Sequence, residues 1–393
     1  MKKTEPLRAM ISESAFCWNL RQIQKSAGKN VFLFPVIKAN AYGHGSRILG
    51  SFIEKNFSRS EVPMVCVARA CEAQQLLDSG FKRKILCLNQ IWSSTQSREQ
   101  VVSVVSSMSD FSEIDKIKSF RLHLDFNTGM NRLGLPFEMK DDQLEHIVNQ
   151  VIRLKKKGTH LAGLMSHLAC GEEAPSKFST RQEVRFKEIL SRFFFKARKS
   201  GLKLNPNELF IHLANSGGAY NQVGDSFVNG FRPGLHLWGS PATQQMNKKL
   251  NLKPVMSVET DLRQLILVKK GEGVGYGLRF VPDQESLVGI FHLGYADGFL
   301  RHFPKNGIGL VVEKEWVPVV GRVSMDLCHV DLTRHSSAKK WLKHLQSGRS
   351  KINLKAEWIG PMQSADSMAK KLKTIPYEIY CGVGPRAQRI PIK

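Results

Sequence analysis

Several polar segments of the chain carry side chains that could bind a phosphate group and hold a carbonyl compound. Lys38 follows an apolar run within FPVIKANAYGHG, Ser216 stands in HLANSGG, and Gly234 stands in FRPGLHLWG. A hydroxyl and backbone N–H groups at glycine-rich turns can bind a phosphate, and a lysine amine can form a Schiff base. These residue types together predict a site for a phosphate-bearing cofactor attached to Lys38.

Short apolar runs must position these segments. They alternate with amphipathic stretches, are too short for helices and are apolar on both faces, which is typical of parallel strands covered by helices. Eight such units predict a TIM-like (β/α)8 barrel, whose active site forms at the C-terminal ends of the strands. The runs are residues 31–37, 64–68, 84–88, 101–105, 122–126, 161–165, 209–213 and 227–231.

The residue pattern of the sequence changes after residue 250. Short β-type segments at 255–262, 265–268, 287–293, 308–312, 316–319 and 328–332 are broken by Gly, Pro and Asp turns. This pattern predicts a mainly antiparallel β-domain. We therefore expect a barrel domain at 1–250 and a β-domain at 251–393, with residues 1–12 as a candidate strand of the β-domain. Residues 334–351 form a basic excursion that could contain a short helix.

Composition and charge exclude several classes of protein. The 393 residues are 42% hydrophobic, which is too many for a disordered chain, and no apolar run approaches the ~20 residues of a membrane span. Seven cysteines without a CxxC pair argue against a disulfide framework or a metal site. The N-terminus lacks the apolar stretch of a signal peptide, so we expect a soluble, cytoplasmic protein. The net charge of +24 is spread thinly, so nucleic-acid binding is a weak alternative.

The motif FPVIKANAYGHG resembles the cofactor-lysine motif of the alanine racemases. Further matches follow in the order of that family: NTGMNRLG, SHLA, HLANSGG, FRPGLHLWG, GVGYG, GYADGFLR, GRVSMD and PYEIYCGVGPR. The resemblance spans nearly the whole chain. It implies an isomerase that uses pyridoxal 5'-phosphate to interconvert L- and D-alanine, supplies D-alanine for peptidoglycan, and forms a homodimer with composite active sites.

The resemblance also implies roles for single residues. Lys38 would hold the cofactor and act as one catalytic base, and Tyr295 of the partner subunit would be the opposite base. Arg232 would face the pyridine nitrogen, His167 would link it to the tyrosine, and Asp326 would support catalysis. The other implied cofactor contacts are Tyr42, Asn215, Ser216, Gly234 and Leu235, and the implied substrate contacts are Arg132, Met325 and Tyr377.

The chemistry of racemisation independently requires two proton carriers. Mirror-image substrates are equal in energy, so an enzyme must remove the α-proton from one face and return a proton to the other. A lysine and a tyrosine on opposite faces of a planar intermediate meet that need. A guanidinium at Arg232 can only donate hydrogen bonds, so it would keep the ring nitrogen unprotonated and limit side reactions such as transamination.

The sequence departs from the family pattern beside the substrate arginine. Seven residues before Arg132, where many members carry a lysine that becomes a carbamate, this chain has Asp125. We expect the Asp125 carboxylate to replace the carbamate and orient Arg132 by direct charge pairing. The other departures are Asn127, Asn131, Ser324 and Trp238.

Other functions remain open at this stage. A broader racemase acting on serine, lysine or arginine is the chief rival, although Tyr42 and Tyr377 favour a small side chain. A barrel protein that binds the cofactor without turnover is the alternative from another class, and the GYADG tyrosine argues against it. Arg232 argues against a decarboxylase. The sequence does not decide between a biosynthetic and a catabolic role.

Overall fold

The structure is a computed structural model that describes residues 5–28, 31–94, 97, 99–117, 120–172, 176–221, 227–241, 244–347 and 352–393. The strands follow in chain order. They are β1 Leu7–Ser12, β2 Phe32–Leu33, β3 Met64–Val67, β4 Lys84–Cys87, β5 Val101–Val105, β6 Arg121–Asn127, β7 Leu135–Pro136, β8 His160–Met165, β9 Phe210–His212, β10 Gly230–Phe231, β11 Met256–Val268, β12 Ser286–Phe291, β13 Leu310–Val312, β14 Glu315–Val317, β15 Val319–Val320, β16 Cys328–Asp331, β17 Lys355–Ile359 and β18 Gln388–Ile392.

The helices lie between these strands and present apolar faces to them. In α5, for example, the side chains of Leu144, Ile147, Val148, Val151 and Leu154 are buried at helical spacing. The helices are α1 Glu13–Ala27, α2 Ser46–Asn56, α3 Ala70–Asp78, α4 Met108–Ile114, α5 Asp141–Lys156, α6 Lys177–Lys199, α7 Ser216–Tyr220, α8 Gln244–Leu250, α9 Ala338–Gln346, α10 Ala365–Leu372 and α11 Pro376–Gly382.

The described contacts divide the chain into two compact units. The barrel unit consists of Ala15–Ala41 and Ser46–Lys253, and the β-unit consists of Met1–Ser14, Tyr42–Gly45 and Pro254–Lys393. Among the described residues, no helix combines the length and apolar character that crossing a bilayer requires.

Eight parallel strands form the barrel, in the order β2-β10-β9-β8-β6-β5-β4-β3. A parallel bridge between Val36 and Cys66 joins the last strand to the first. Every residue of β3 and β5 is buried, as expected for parallel strands covered on both faces. The predicted (β/α)8 barrel is therefore confirmed, and each apolar run contains a strand. The eighth run, at 227–231, is shorter than expected because only Gly230–Phe231 pairs.

The β-unit is mainly antiparallel, which confirms the second part of the predicted fold. Its sheet runs in the order β14-β13-β17-β11-β12-β16-β15, and β1 pairs with β11 antiparallel and with β18 parallel. The segments 255–262 and 265–268 belong to one strand, β11, because an irregularity between Leu262 and Gln264 bends it without ending it. The basic excursion contains α9, and its residues 348–351 lie outside the described residues.

Candidate active site

A left-handed turn begins directly after Lys38. Ala39, Asn40 and Ala41 have φ angles of 52°, 53° and 54°, and Tyr42 follows with 50°. Glycine adopts this region readily, whereas each other L-residue is destabilised there by roughly 1–2 kcal/mol. Four consecutive non-glycine residues in this conformation mark a strained segment of the kind that folds retain at functional sites.

Side chains of the barrel unit stabilise this turn. The carboxylate of Glu72 accepts a hydrogen bond from the Ala39 N–H at 2.6 Å. The amide oxygen of Asn40 accepts one from the Ser46 N–H at 2.9 Å. These bonds satisfy N–H groups near helix starts, for which the helix itself has no acceptor, so they fix the position from which Lys38 projects.

Arg232 follows β10 and is only 2% exposed. Its Nη2 donates to the carbonyl oxygens of Ser166 and Leu213 at 2.6 and 3.1 Å, and to Nδ1 of His167 at 3.0 Å. Its Nη1 donates to the carbonyl oxygen of His212 at 3.2 Å and to Nδ1 of the same residue. Burial lowers the pKa of Arg232 to about 10, so the group remains a cation at neutral pH. No hydrogen bond within the described part of the chain uses its Nε.

This guanidinium fixes the tautomers of two fully buried histidines. Because an arginine only donates, Nδ1 of His212 accepts and its proton lies on Nε2. That proton is donated to Nδ1 of His123, 2.8 Å away, so His123 carries its own proton on Nε2. Burial, reinforced by the charge of Arg232, lowers the pKa of His123 to about 3 and that of His212 well below its usual range. Both rings are therefore neutral.

His167 is held in one tautomer by the same arginine. Its Nδ1 accepts from Arg232, so its Nε2 carries the proton. Burial, followed by the charges of Arg232, Arg132 and Lys38, keeps the pKa of His167 well below the usual range. Gln182 is 0% exposed and donates to the His167 carbonyl oxygen at 2.8 Å, which anchors the backbone at this position.

The expected phosphate-binding residues stand at two adjacent helix starts. Ser216 begins α7, and its hydroxyl oxygen accepts a hydrogen bond from the Gly234 N–H at 2.8 Å. Asn215 lies directly before Ser216 and accepts from the Gly218 N–H at 3.1 Å. Leu235 begins a short 3-10 helix, Leu235–Trp238, directly after Gly234. The bond between Ser216 and Gly234 brings the two starts together.

Asp125 lies on β6 and is 8% exposed. Burial raises its pKa to about 6, although the cations of Arg232 and Arg132 act in the opposite direction. The hydroxyl of Ser106 donates to the Asp125 carboxylate at 3.4 Å. Arg132 is exposed. In the described part of the chain, no hydrogen bond or ion pair joins it to Asp125, so the expected direct charge pairing is not seen and the carboxylate influences Arg132 only through its charge.

Asn127 and Asn131, the two asparagines that depart from the family pattern, stabilise the loop that carries Arg132. The side-chain oxygen of Asn127 accepts from the backbone N–H groups of Gly129 and Asn131, each at 3.0 Å. Asn131 has a φ of 56°, a conformation that asparagine tolerates better than most residues. A hydrogen bond of 3.0 Å joins the two side chains. The two asparagine side chains therefore stabilise this loop through bonds to its backbone and to each other.

In the β-unit, Tyr295 begins a 3-10 turn, Tyr295–Asp297, and is 38% exposed. Its N–H donates to the Ser324 carbonyl oxygen at 3.0 Å, and the Ala296 N–H donates to the Met325 carbonyl oxygen at 3.1 Å. A Cβ at Gly294 would overlap that same carbonyl group, so glycine is required for this approach. The GYADG and SMD motifs therefore form one site in the β-unit.

Arg386 joins these two motifs through ion pairs. Its Nε lies 2.8 Å from Asp297, and its Nη1 lies 2.6 Å from Asp326. The Asp297 carboxylate is 4% exposed and also accepts from the Gly294 N–H at 2.9 Å. Asp326 and Asp297 raise the pKa of Arg386 above its usual value. Arg386 thus connects Asp326 to Asp297 of the Tyr295–Asp297 turn.

Tyr42 and Tyr377 are neighbours within the β-unit. Their ring centroids are 5.3 Å apart, with the planes tilted by 40°. Arg389 donates to the Gly43 carbonyl oxygen at 2.9 Å and to the Val383 carbonyl oxygen at 2.7 Å. These bonds connect the residues after Tyr42 to the C-terminal segment.

The structure brings the expected residues together in two groups. The barrel unit holds Lys38, Asp125, Arg132, His167, Asn215, Ser216, Arg232, Gly234 and Leu235, and the β-unit holds Tyr42, Tyr295, Met325, Asp326 and Tyr377. The sequence reasoning missed residues that support them, namely Glu72, His123, Gln182, His212, Asp297 and Arg386. A polar residue within an apolar run, as at His123, is the signal that could have found some of them. In the described part of the chain, no three potential ligands are grouped as a metal site would require.

Models of known families match most of the chain. The family described as "Alanine racemase, N-terminal domain" matches residues 11–241, and "Alanine racemase, C-terminal domain" matches residues 255–391. Among curated proteins, "Alanine racemase 2" of Caldanaerobacter subterraneus is 29% identical over 98% of this chain and 95% of its own length. "Alanine racemase" of Hahella chejuensis is 28% identical over 98% of both chains.

Solved structures match over the same extent. An alanine racemase of Clostridium difficile has a TM-score of 0.82 at 25% identity and covers 100% of this chain and 97% of its own. An alanine racemase of Bartonella henselae with covalently bound pyridoxal phosphate has a TM-score of 0.75 at 25% identity, covering 99% of this chain and 100% of its own.

Proposed function

The chain belongs to the alanine racemase family, and from this premise we propose that it interconverts L- and D-alanine with pyridoxal 5'-phosphate as its cofactor. One observation carries the proposal. Arg232 is buried between two histidines that can only accept from it, and its Nε is not used within the described part of the chain. Such a fixed cationic donor would suit the role of facing the cofactor nitrogen that the family resemblance implies for Arg232.

The residues present fit this cofactor. Lys38 supplies the amine for a Schiff base from a turn that is fixed by Glu72 and Asn40. Ser216 and the N–H groups of the two adjacent helix starts would bind the phosphate, together with Tyr42. When bound, the cofactor supplies an electron-withdrawing ring that acidifies the α-proton of an attached amino acid.

Arg232 would set the protonation state of the cofactor ring. A guanidinium has no acceptor atom, so its Nε can only donate to the ring nitrogen. His167 and His212 are both neutral and accept hydrogen bonds from Arg232. The arginine is therefore the charged member of this group. Arg232 would thereby limit charge delocalisation and disfavour transamination.

Two residues would move protons at the substrate Cα. Lys38 would act on one face, and Tyr295 of the partner subunit on the other. In each direction one residue takes the α-proton and the other returns a proton, so charge and atoms balance over the cycle. The 38% exposure of Tyr295 supports a role that is completed by a second copy of the chain in a homodimer.

Substrate binding would combine a cation with a small pocket. Arg132 and Met325 would contact the carboxylate of alanine, and Asp125 would supply a negative charge in place of the family's carbamate. The packed rings of Tyr42 and Tyr377 would leave room for a methyl side chain and disfavour longer ones. The D-alanine product would serve peptidoglycan synthesis in the cytoplasm.

A borohydride experiment tests the cofactor link and the activity together. Reduction of the purified, cofactor-loaded protein should attach the cofactor irreversibly to Lys38, which peptide mass spectrometry detects, and should abolish racemisation of L-alanine. Lys38→Ala should show neither the adduct nor turnover. Turnover that survives reduction, or an adduct at another lysine, would contradict the proposal. A panel of L-amino acids then separates alanine from serine, lysine and arginine.

A further inference from the structure

A polar cavity lies at the N-terminal ends of the barrel strands, at the opposite end of the barrel from Lys38. Its volume is about 290 Å³. Basic side chains dominate its charged lining, which consists of Lys84, Arg121, Lys155, His160, Lys203 and a single acid, Glu208.

The barrel itself brings the basic groups together. Lys84, Arg121 and His160 are the first residues of β4, β6 and β8. Arg121 pairs directly with His160 across the sheet, and β5 lies between β4 and β6. Parallel strands of a barrel start at the same end, so their first residues lie near one another, and these three line the cavity. The grouping is therefore a consequence of the fold.

Two lysines from the connecting segments complete the lining. Lys155 lies in the last turn of α5, and Lys203 follows α6. The ammonium group of Lys155 donates to the Lys203 carbonyl oxygen at 3.5 Å, which keeps that side chain at the rim. Both side chains remain exposed and can turn toward a ligand in the cavity.

The positive charge of this cavity is poorly compensated. Glu99 approaches Arg121 only at 3.5 Å and is 81% exposed. The buried Nε of Arg121 has no hydrogen-bond acceptor among the residues that the structure describes. Burial lowers the pKa of Lys84, and the charge of Arg121 lowers it further, so the two cations repel each other. A bound anion would relieve this repulsion and supply the missing acceptor.

We propose that this cavity binds a small phosphate-type oxyanion, such as inorganic phosphate or pyrophosphate. The guanidinium of Arg121 offers a donor fork, and the lysines offer mobile point charges that suit a multivalent tetrahedral anion. The volume accommodates one such anion. Binding here is separate from the racemase site, so it would stabilise the barrel without changing turnover.

Calorimetric titration of the cofactor-loaded protein tests the site. The bound cofactor occupies the other phosphate-binding site, and sodium chloride holds the ionic strength constant while pyrophosphate is added. In Lys84→Gln/Arg121→Gln the dissociation constant for pyrophosphate should rise at least about tenfold. The control Lys25→Gln/Arg181→Gln removes the same charges from exposed positions of the barrel unit and should change it less than about twofold.

Two results would overturn the proposal. One is the absence of measurable pyrophosphate binding to the unmodified protein, and the other is an equal loss of affinity in the cavity variant and the control, which would indicate general attraction by the +24 charge. If the double variant does not fold, Lys155→Gln changes only an exposed rim residue. It should raise the dissociation constant about threefold, and an unchanged value would equally overturn the proposal.

Discussion

The two groups of candidate site residues are positioned by different physical means. In the barrel unit, Arg232 is 2% exposed, His212 is 0% exposed and Asp125 is 8% exposed. In the β-unit, Tyr295 is 38% exposed and Met325 is 52% exposed. The barrel group is a buried polar network. The β-unit group lies on a surface, where the close packing of Gly294 against Met325 and the ion pairs of Arg386 stabilise its conformation.

This difference determines how each group should respond to mutation. A buried polar atom that loses its partner is destabilised by about 1–3 kcal/mol, so each member of the barrel network depends on the others. The Arg386 side chain is 47% exposed, so its ion pairs contribute roughly 0–1 kcal/mol, and the buried Asp297 keeps its hydrogen bond from the Gly294 N–H without them. The backbone therefore does most of the positioning in the β-unit. Substitutions in the barrel network should therefore have larger effects than those in the β-unit scaffold.

The largest effect is expected for Arg232→Glu. The kcat for alanine racemisation should fall about 10²–10³-fold, because the fixed donor is lost and a carboxylate would hold a proton on the cofactor nitrogen. Transamination should increase, which pyruvate release detects. Arg232→Lys keeps a cationic donor and should show no such increase. An Arg232→Glu variant without added pyruvate would refute the electronic role.

His212→Leu should lower kcat by about 10- to 100-fold. Leucine cannot accept from the guanidinium or donate to His123, so Arg232 loses one of its two ring partners. The KM for alanine should change little, because neither histidine is proposed to contact substrate. His212→Asn restores an acceptor and a donor and should recover part of the loss. A kcat within twofold in the leucine variant would show that this network does not position Arg232.

Asp125→Asn should have opposite effects on binding and stability. The KM for alanine at pH 8 should rise about fivefold, because the negative charge that acts on Arg132 is removed. The free energy of unfolding should rise by about 1–3 kcal/mol, because a buried charge is removed.

The pH dependence gives the same test a second readout. The folded pKa of Asp125, about 6, lies above its reference value of 3.8, so the ionised form destabilises the fold above pH 6, and this loss disappears as the pH falls toward 4. The KM of the unmodified protein should rise as the pH falls through 6, and that of Asp125→Asn should not. Parallel KM profiles would remove Asp125 from substrate binding.

The smallest effect is expected for Arg386→Gln in the β-unit. Loss of the bridge between Asp297 and Asp326 should lower kcat about two- to fourfold, because the backbone bonds of the Tyr295 turn remain. Lys305→Gln removes an equal charge from an exposed position of the same unit and should leave kcat unchanged. A fall in kcat as large as that expected for His212→Leu would contradict the contrast between the two groups.

The sequence was sufficient to predict the fold and to select candidate residues for the chemistry. The eight apolar runs each contain a barrel strand, because burial on both faces leaves a short, continuous apolar signal. The motif after the first run made Lys38 a candidate for cofactor attachment, since a lysine followed by glycines and small residues directly after a strand is typical of such a site.

The supporting residues required the three-dimensional structure. The partners His123 and His212 are 89 positions apart in sequence, and Asp326 and Arg386 are 60 apart, so spacing gives no indication of these contacts. The left-handed turn at residues 39–42 contains no glycine, and therefore local propensity predicts the opposite handedness. The burial that shifts the pKa of Asp125 likewise depends on packing rather than on sequence.

Tyr295→Phe provides the most direct test of the central claim that two residues move protons on opposite faces of the substrate. Solvent deuterium incorporation at Cα is measured separately from L-alanine and from D-alanine, alongside racemisation in both directions. Racemisation should fall about 10²–10⁴-fold in both directions, while deuterium still enters one enantiomer through Lys38. Unchanged racemisation, or unchanged deuterium incorporation into both enantiomers, would contradict it.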